Sequence, residues 1–204
     1  MTEYFDILNP DGTKTGQSRD RDLVHRDGDW HACVHVWIYD PQTKKVLLQL
    51  RHPQKDSYPR HFDVSCAGHL SAGDEPLECA QRELEEELGL RDVHMEHITT
   101  IPQRHVTNNG AFIDNEYAHC YVIRQSIDVN TLTLQETEVS GVSWIPLERL
   151  CELYRANARD ETQITLPLLK AQHVETKNGQ ITANVVPIDD VERYISEVLQ
   201  KLPE

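Results

Sequence analysis

The chain lacks the features by which disulfide-stabilised, membrane-spanning and nucleic-acid-binding proteins are recognised. Its five cysteines are spread over 204 residues without a CxxC pair, a pattern that excludes a disulfide framework and a zinc ribbon. No apolar run approaches the roughly 18 residues that a membrane span requires. Lys and Arg total only 20 against 34 Asp and Glu, so the net charge of −14 repels nucleic acid and anionic membranes. A polyanionic substrate would therefore need cations beside it.

The N-terminal sequence also lacks the basic and apolar regions of a secretory or transit signal. The segment "MTEYFDILNPDG" is instead acidic and rich in turn-forming residues. We therefore expect a cytoplasmic protein with reduced thiols, and we expect neither nucleic acid nor a membrane among its partners. The length fits a single domain with modest extensions.

Short segments of alternating apolar and polar residues predict an α+β (mixed α/β) fold. In "WHACVHVWIYD" the apolar residues from Ala32 to Ile38 alternate with His31, Cys33 and His35, which is the period of a strand. The segment "TNNGAFIDN" is predicted to be a polar loop, and helices are predicted in "ERLCELYRA" and "DDVERYISEVLQKL". Further strands are predicted in "EYFDILNPDGTKTG", "VLLQLR", "HFDVSCAGHL", "HMEHITTIPQRHV", "EYAHCYVIR" and "VSWIP", and a hairpin with an Asn-Gly turn in "VETKNGQITANVV".

A helix is predicted from Asp74 to Leu88, with Asp74 as its N-cap and Gly89 as its C-terminal stop. Four glutamates crowd into five of its positions, although like charges three or four residues apart repel one another. At about 100° per residue, Glu83, Glu86 and Glu87 share one face beside the apolar stripe and Glu85 points away. Such a face is either simply solvated or a hard-oxygen site for Mg²⁺ or Mn²⁺. The apolar stripe consists of Leu77, Ala80, Leu84 and Leu88.

The spacing of this helix and its flanks resembles the signature of the Nudix family. One position departs, because Asp74 stands where the family has a glutamate. The resemblance implies a Nudix fold, in which a mixed β-sheet is sandwiched between helices and the signature forms a loop-helix-loop. It also implies Mg²⁺-dependent or Mn²⁺-dependent hydrolysis of a diphosphate linkage in a nucleoside diphosphate derivative or a related small molecule. The eight positions that match are Gly68, Arg82, Glu83, Leu84, Glu86, Glu87, Gly89 and Leu90.

The same resemblance implies roles for individual residues of the signature. Glu83, Glu86 and Glu87 would bind the metal, and one of them or a neighbouring glutamate would activate the attacking water. Arg82 would hold a glutamate in position. The structural glycines would shape the loops on either side of the helix, Gly68 before it and Gly89 after it.

Residues 3–150 also resemble the type I isopentenyl-diphosphate isomerases and their isomerase-like hydrolase relatives. That resemblance implies a second metal site. His25 lies one residue nearer to His31 than in the isomerases, and Asp114 replaces a glutamate. The alternative is that these are ordinary interior or surface residues. The residues matching the second site are His25, His31, His69, Asp114 and Glu116.

Two basic residues, Arg51 and Lys55, match those that hold the diphosphate in the isomerases. Solvated surface charge is the alternative interpretation. If they bind substrate, neutralising both should raise KM for a diphosphate more than it lowers kcat.

An isomerase would need a cysteine where this chain has Ala67. Cys66 is adjacent, but a shift of one residue in a strand turns a side chain to the opposite face, and a bulge would be needed to restore it. The complete acidic cluster favours phosphorus chemistry, so we predict a hydrolase acting on a phosphorus-containing anhydride. Isopentenyl-diphosphate isomerase activity and a non-catalytic nucleotide-binding module remain alternatives, and the substrate is left open.

The resemblance divides the chain into three parts of one domain. Residues 1–30 would form an N-terminal hairpin and connector, and residues 31–160 the Nudix hydrolase domain. Residues 161–204 would form a C-terminal hairpin and helix that cap this domain or make a homodimer contact.

Overall fold

The computed structural model describes residues 3–157 and 163–204, so the predicted boundary between residues 160 and 161 lies outside the described residues. Its strands are β1 (Tyr4–Leu8), β2 (Lys14–Asp20), β3 (Trp30–Asp40), β4 (Lys45–Arg51), β5 (Phe62–Asp63), β6 (Cys66–His69), β7 (Glu96–Thr107), β8 (Phe112–Arg124), β9 (Val139–Pro146), β10 (Gln163–Pro167) and β11 (Gln180–Asn184). Its helices are α1 (Arg21–Asp27), α2 (Pro76–Leu88), α3 (Leu147–Asn157) and α4 (Val191–Glu197), with 3₁₀ turns at Asn108–Gly110, Val129–Thr131 and Leu199–Lys201.

The central strand of the mixed sheet is β3. It pairs in parallel with β8 from Trp30 to Tyr39, and its other edge pairs in turn with β1, β6 and β4. The sheet extends through β7 beside β8, through β5 and β9 beside β4, and through β2 beside β1. The strands β10 and β11 form a separate antiparallel pair.

Helices cover both faces of this sheet because the side chains of β3 alternate between two apolar cores. Val34, Val36 and Ile38 pack in the core that contains Ala80, Leu84 and Leu88 of α2. Leu77, predicted as part of the same apolar stripe, is instead exposed in the first turn of the helix. Trp37 and Tyr39 pack in the other core, with residues of α3, α4 and the C-terminal segment. Within the described ranges, no helix is both long enough and apolar enough to cross a membrane.

The segment "HFDVSCAGHL" differs from its prediction as a single strand. It forms the two short strands β5 and β6, which pair with β4 and β3 respectively. The Ser65 hydroxyl lies between them, accepts from the amide of Ile38 at 2.9 Å and donates to the carbonyl of Leu47 at 2.6 Å. This side chain satisfies backbone groups of two separating strands, so the chain can pass from one to the other.

The start of the acidic helix also differs from the prediction. Helix α2 begins at Pro76, and Glu75 occupies the cap position without a side-chain cap bond, so the N-cap assignment of Asp74 was wrong. The carboxylate of Asp74 instead accepts from the Ser71 amide at 3.2 Å and from Arg82 at 3.0 Å. The stop at Gly89 is confirmed by its left-handed φ of 70°.

Two predicted connections were wrong because long-range pairing overrides local composition. Strand β8 begins at Phe112, inside the predicted loop, because β7 continues to Thr107 and pairs with it. At the C-terminus, residues 178–179 form the predicted turn, closed by a Lys177–Gln180 bridge. Strand β11 nevertheless pairs with β10 rather than with the residues just before this turn.

Candidate metal centres and active site

A cavity of about 330 Å³ brings together residues from both predicted clusters. His25 and His31 lie behind the cavity lining, where their ring nitrogens face Asp114. The predicted site residues that line the cavity are Arg51, Lys55, Gly68, His69, Glu83, Glu86, Glu87, Asp114 and Glu116.

The three glutamates of α2 meet the cavity at different depths. Glu87 is buried, accepts from the Gln49 side-chain amide at 3.1 Å, and has a pKa that burial raises to about 7. Burial also raises the pKa of Glu83, whereas Glu86 is exposed. In the described part of the chain, oxygens from these three carboxylates do not all lie within 4.8 Å of one another. The arrangement therefore suits a hydrated hard cation that completes its coordination with water and substrate.

Arg82 faces away from the cavity and links two acidic side chains. Its guanidinium donates to Glu83 at 2.6 Å and to Asp74 at 3.0 Å. These contacts restrict the Glu83 carboxylate, and they explain why an acid at position 74 matters even though it does not cap the helix. The role of Arg82 as a positioning residue remains a prediction.

Gly68 lies directly beneath the Glu83 side chain. A Cβ atom at position 68 would stand 2.3 Å from the Glu83 Cδ atom, far inside van der Waals contact. The backbone of Gly68 does not have a positive φ, so alanine is excluded here by the neighbouring carboxylate rather than by strain. This close approach couples strand β6 to the acidic helix.

We expect Gly68→Ala to displace the Glu83 carboxylate and to weaken Mn²⁺ binding about tenfold or more, as loss of positioning around a metal usually does. Calorimetric titration would measure the Mn²⁺ affinity, and thermal unfolding would measure the stability of the same variant. Gly16→Ala is the control for backbone strain: its Cβ meets no described atom within 4 Å, but the φ of +79° strains an alanine, so we expect a lower Tm with unchanged Mn²⁺ affinity. Unchanged Mn²⁺ affinity in Gly68→Ala would show that Glu83 does not contribute to the site.

Three histidines converge on one oxygen of Asp114. Their Nε2 atoms lie 3.6 Å (His25), 3.1 Å (His31) and 3.7 Å (His69) from Asp114 Oδ1. Two of these distances are longer than ordinary hydrogen bonds. Two ligands bound to one ion at about 2.0–2.2 Å in tetrahedral geometry are separated by roughly 3.4 Å, so the spacing matches the edges of a coordination shell.

The polar atoms at the centre of this histidine cluster are buried and have no hydrogen-bond partner outside the cluster among residues 3–157 and 163–204. They are His25 Nε2, His31 Nε2 and Asp114 Oδ1. The other ring nitrogen of His31 contacts the Asp29 carbonyl at 3.0 Å, an arrangement that assigns the proton to Nδ1 and leaves the Nε2 lone pair directed inward. Buried polar atoms are almost always satisfied, so these residues fit a divalent ion.

The ionisation of Asp114 and His25 agrees with this fit. Burial acts to raise the pKa of Asp114, but the histidine contacts outweigh it and hold that pKa well below the ordinary value. Burial lowers the pKa of His25, and an ionised carboxylate beside a neutral imidazole is the donor set that Mn²⁺ and Zn²⁺ accept. Burial also acts to lower the pKa of His69, but its contacts with Asp114 and Glu116 outweigh burial and raise that pKa to about 9, so an ion that binds His69 would displace a proton.

The chain reversal at Gly28 brings His25 and His31 together. Gly28 ends α1 with a left-handed φ of 72°, and a Cβ atom there would stand 2.8 Å from Ile113. The Asn115 side chain donates to the Gly28 carbonyl at 2.7 Å and ties this turn to β8.

Aromatic rings enclose the histidines, a feature that the sequence reading missed. The Phe5 ring stacks on His31 and His69 with centroid distances of 5.1 and 5.0 Å. The Phe112 ring stacks on His25 at 4.3 Å. These apolar walls hold the imidazole planes and limit access of water to the cluster.

The two predicted phosphate-binding residues have different surroundings. Arg51 donates to Asp63 at 2.8 Å and twice to the Ser57 carbonyl, at 3.1 and 3.0 Å, so its guanidinium is committed to the protein. Lys55 pairs with the carboxylate of Glu138, which also lines the cavity. The sequence reading did not identify Glu138, because its approach to Lys55 depends on the path of a long connection.

The position of the isomerase nucleophile is occupied by Ala67, which lines the cavity. Cys66 lies in the apolar core beside α2, and burial raises the pKa of its thiol well above the ordinary value. Because side chains alternate along β6, Cys66 points away from the cavity that Ala67 lines. No bulge reverses this direction, since β6 pairs with β3 in continuous register from residue 66 to residue 69.

A further cluster, formed by Cys33, His35 and Glu116, was not predicted. Donor atoms from these three side chains lie within 4.8 Å of one another, and all three residues line the cavity. Burial lowers the pKa of His35, but hydrogen bonds with Cys120 and Glu116 outweigh it and raise the pKa to about 10. The available signal was the strand alternation that places positions 31, 33 and 35 on one face.

Comparisons with known proteins agree with this geometry. The family model of the NUDIX domain matches residues 29–166. Nudix hydrolase 3 of Arabidopsis thaliana is 49% identical over 150 residues, which cover 72% of this chain but only 19% of that protein. An uncharacterized Nudix hydrolase of Clostridium acetobutylicum is 37% identical over 150 residues, covering 72% of each chain.

More distant similarities concern the isomerase branch and the fold. An isopentenyl-diphosphate Delta-isomerase of Haloarcula marismortui is 26% identical over 149 residues, covering 71% of this chain and 77% of that enzyme. The crystal structure of a Deinococcus radiodurans protein has a TM-score of 0.59 at 22% identity, covering 77% of this chain and 90% of that one. The second likeness concerns the fold alone.

Proposed function

Since this chain belongs to the Nudix family, we propose that it hydrolyses a pyrophosphate linkage in a nucleoside diphosphate derivative or related small molecule, with Mg²⁺ or Mn²⁺. The predicted family, the isomerase-like branch, the α+β Nudix fold and the class of enzyme are confirmed. Members of the family generally use divalent metal ions and act on phosphorus-containing anhydrides.

One observation carries the proposal: carboxylates from α2 share a cavity with Lys55. Glu83, Glu86 and Glu87 would hold the metal, which when bound screens phosphate charge and stabilises the leaving group. Lys55 would exchange its contact with Glu138 for a phosphate oxygen. Glu138, a residue that was not predicted, would then be released from that ion pair and free to orient and deprotonate the attacking water.

The histidine cluster supports a second metal site in the same cavity. His25, His31, His69 and Asp114 supply three imidazoles and a carboxylate, and among the described residues the central atoms of His25, His31 and Asp114 have no hydrogen-bond partner outside this cluster. Glu116 lies beside this cluster, with Oε2 at 3.6 Å from His69 Nε2. We assign the second site to these residues, as an addition to the acidic helix rather than a replacement for it.

A panel of diphosphates would test the function. Sugar nucleotides, nucleoside diphosphates, dinucleotides and isopentenyl diphosphate would be assayed for release of phosphate or nucleoside monophosphate, first with Mg²⁺ and then with Mn²⁺. We expect hydrolysis of at least one nucleotide and no double-bond shift in isopentenyl diphosphate. Binding without turnover across the panel would instead support a nucleotide-binding module, and a shifted double bond that is lost in Cys66→Ala would support an isomerase.

We expect Lys55→Gln to raise KM about tenfold and to change kcat less than about twofold, because one charge contact to the ground-state phosphate is lost. Steady-state kinetics on the best substrate would measure both constants. The exposed Lys14, replaced by Gln, is the control. A fall in kcat with unchanged KM would instead assign Lys55 to transition-state stabilisation. Arg51 is expected to affect stability more than KM, since its donors are already used.

Several expectations stay predictions. They concern the cytoplasmic location, the absence of nucleic-acid and membrane partners, the homodimer contact and the division of the chain into three parts. The chain spans 19% of the Arabidopsis relative, so the activity of that whole protein is not transferred.

A further inference from the structure

We propose that Cys33, His35 and Glu116 form a binding site for a borderline-soft divalent ion of the Zn²⁺ class, beside the histidine cluster. The site would take a thiolate, an imidazole and a carboxylate as ligands. This proposal concerns metal binding and does not depend on hydrolysis.

The donor set distinguishes this site from the acidic helix. Thiolate and imidazole select Zn²⁺ and similar ions, whereas Mg²⁺ prefers carboxylate and water. His35 Nε2 lies 3.6 Å from Glu116 Oε1, which fits two ligands of one tetrahedral ion more closely than it fits a hydrogen bond. The Cys33 thiol completes the triangle within 4.8 Å.

Strand geometry directs all three donors into the cavity. Cys33 and His35 alternate on one face of β3, and β8 runs parallel to β3 and carries Glu116 on the adjoining strand. His35 lies opposite Ala67 on β6, whose methyl group leaves room in front of the imidazole. An ion with these three ligands would keep its fourth position open to the cavity, as catalytic zinc sites do.

The second nitrogen of His35 is held by the C-terminal helix. His35 Nδ1 lies 3.1 Å from the Tyr194 hydroxyl, which also accepts from the Trp37 indole at 3.2 Å. Metal-binding histidines are usually held in this way through their other nitrogen. The hydroxyl oxygen can accept from both rings, which leaves Nε2 available to an ion.

Glu116 connects the two clusters. Its Oε1 faces His35 at 3.6 Å and its Oε2 faces His69, also at 3.6 Å. One carboxylate therefore lies between two groups of nitrogen ligands. In the loaded protein it would bridge two ions, as carboxylates do in two-metal sites.

The competing explanation is a plain ion pair between His35 and Glu116 beside an inert thiol. Cobalt distinguishes the two, because a thiolate bound to Co²⁺ gives a strong charge-transfer band in the near ultraviolet and imidazole or carboxylate ligands do not. The full chain would be stripped with a chelator, saturated with Mg²⁺ and titrated with Co²⁺. We expect the band in the wild-type protein and its loss in Cys33→Ser, with one cobalt ion fewer bound per chain by elemental analysis.

Cys66→Ser is the matched control, because this thiol is equally buried beside the glutamates of α2 and should leave the band intact. A wild-type protein without the band, or a band that survives in Cys33→Ser, would overturn the proposal. If Cys33→Ser does not fold, His35→Gln replaces it, with Co²⁺ affinity expected to fall about tenfold or more. Unchanged affinity in His35→Gln would also overturn it.

Discussion

Replacing Glu87 by Gln should lower the turnover of a pyrophosphate substrate at least about a hundredfold, the usual scale for loss of a charged catalytic group. The substitution keeps the shape of a buried side chain but removes the charge that would hold the metal. Gln49 donates to this carboxylate at 3.1 Å, and the glutamine carbonyl can still accept that bond. Activity should therefore fall without a matching loss of stability. Steady-state turnover with Mg²⁺ and thermal unfolding of the same preparations would measure both.

Glu85, two residues before Glu87 on the same helix, is the control for this prediction. Glu85 belongs to the same acidic run, but it is exposed and pairs with Arg91 at 2.5 Å on the far side of the helix. Glu85→Gln removes the same charge from the same helix, and we expect turnover within about twofold of the wild type, as for other surface substitutions. Equal turnover in Glu87→Gln and wild type would remove the basis for metal binding at α2. Equal losses in both variants would point to the overall charge of the helix instead.

The contribution of Glu87 to the stability of the metal-free protein should fall as the pH rises from about 4.5 to 7. Burial raises the pKa of Glu87 from 4.5 to about 7, so across this range the unfolded chain releases a proton that the folded chain retains. A carboxyl whose pKa is raised by folding stabilises the fold fully only below its unfolded pKa, and that contribution is lost as the pH passes the folded value. The expected loss is about 3 kcal/mol. It corresponds to roughly 10 °C in Tm for a chain of this size.

The difference between wild type and Glu87→Gln isolates this contribution, because other titrating groups contribute equally to both proteins. Tm would be measured from pH 4 to 8 in the presence of a chelator. Across this pH range the Tm of the wild type should fall by roughly 10 °C more than the Tm of Glu87→Gln. Saturating Mg²⁺ should reduce this difference, because the ion favours the ionised carboxylate. Parallel Tm curves for the two proteins would show that Glu87 ionises normally in the fold.

Local patterns were sufficient to predict the acidic helix. The period of its apolar stripe, the crowding of glutamates and the glycine stop all lie within 23 consecutive residues, 68–90, so no long-range contact is needed to interpret them. The start of the helix was misjudged for a specific reason. Asp74 had two competing uses for its carboxylate, and the contact with Arg82 eight residues later is not visible in the preference of aspartate for N-caps.

The surroundings of the cavity could not be predicted in the same way. His35 and Tyr194 are separated by 159 positions, and Lys55 meets Glu138 across 83. Gln49 gave a weak signal, as a polar residue within the apolar run "VLLQLR", but its partner Glu87 lies 38 positions away on another element. The histidines were found only through a family resemblance, since their convergence depends on the register of three strands.

The histidine cluster and the support of His35 both draw on residues outside the segment that the family model matches. Phe5 and His25 precede the segment that matches the family, which begins at residue 29, and Tyr194 follows its end at residue 166. A shortened form restricted to residues 29–166 would therefore keep the glutamates of α2 and most of the histidine cluster. It would lose one imidazole, one aromatic wall and the hydroxyl that contacts His35.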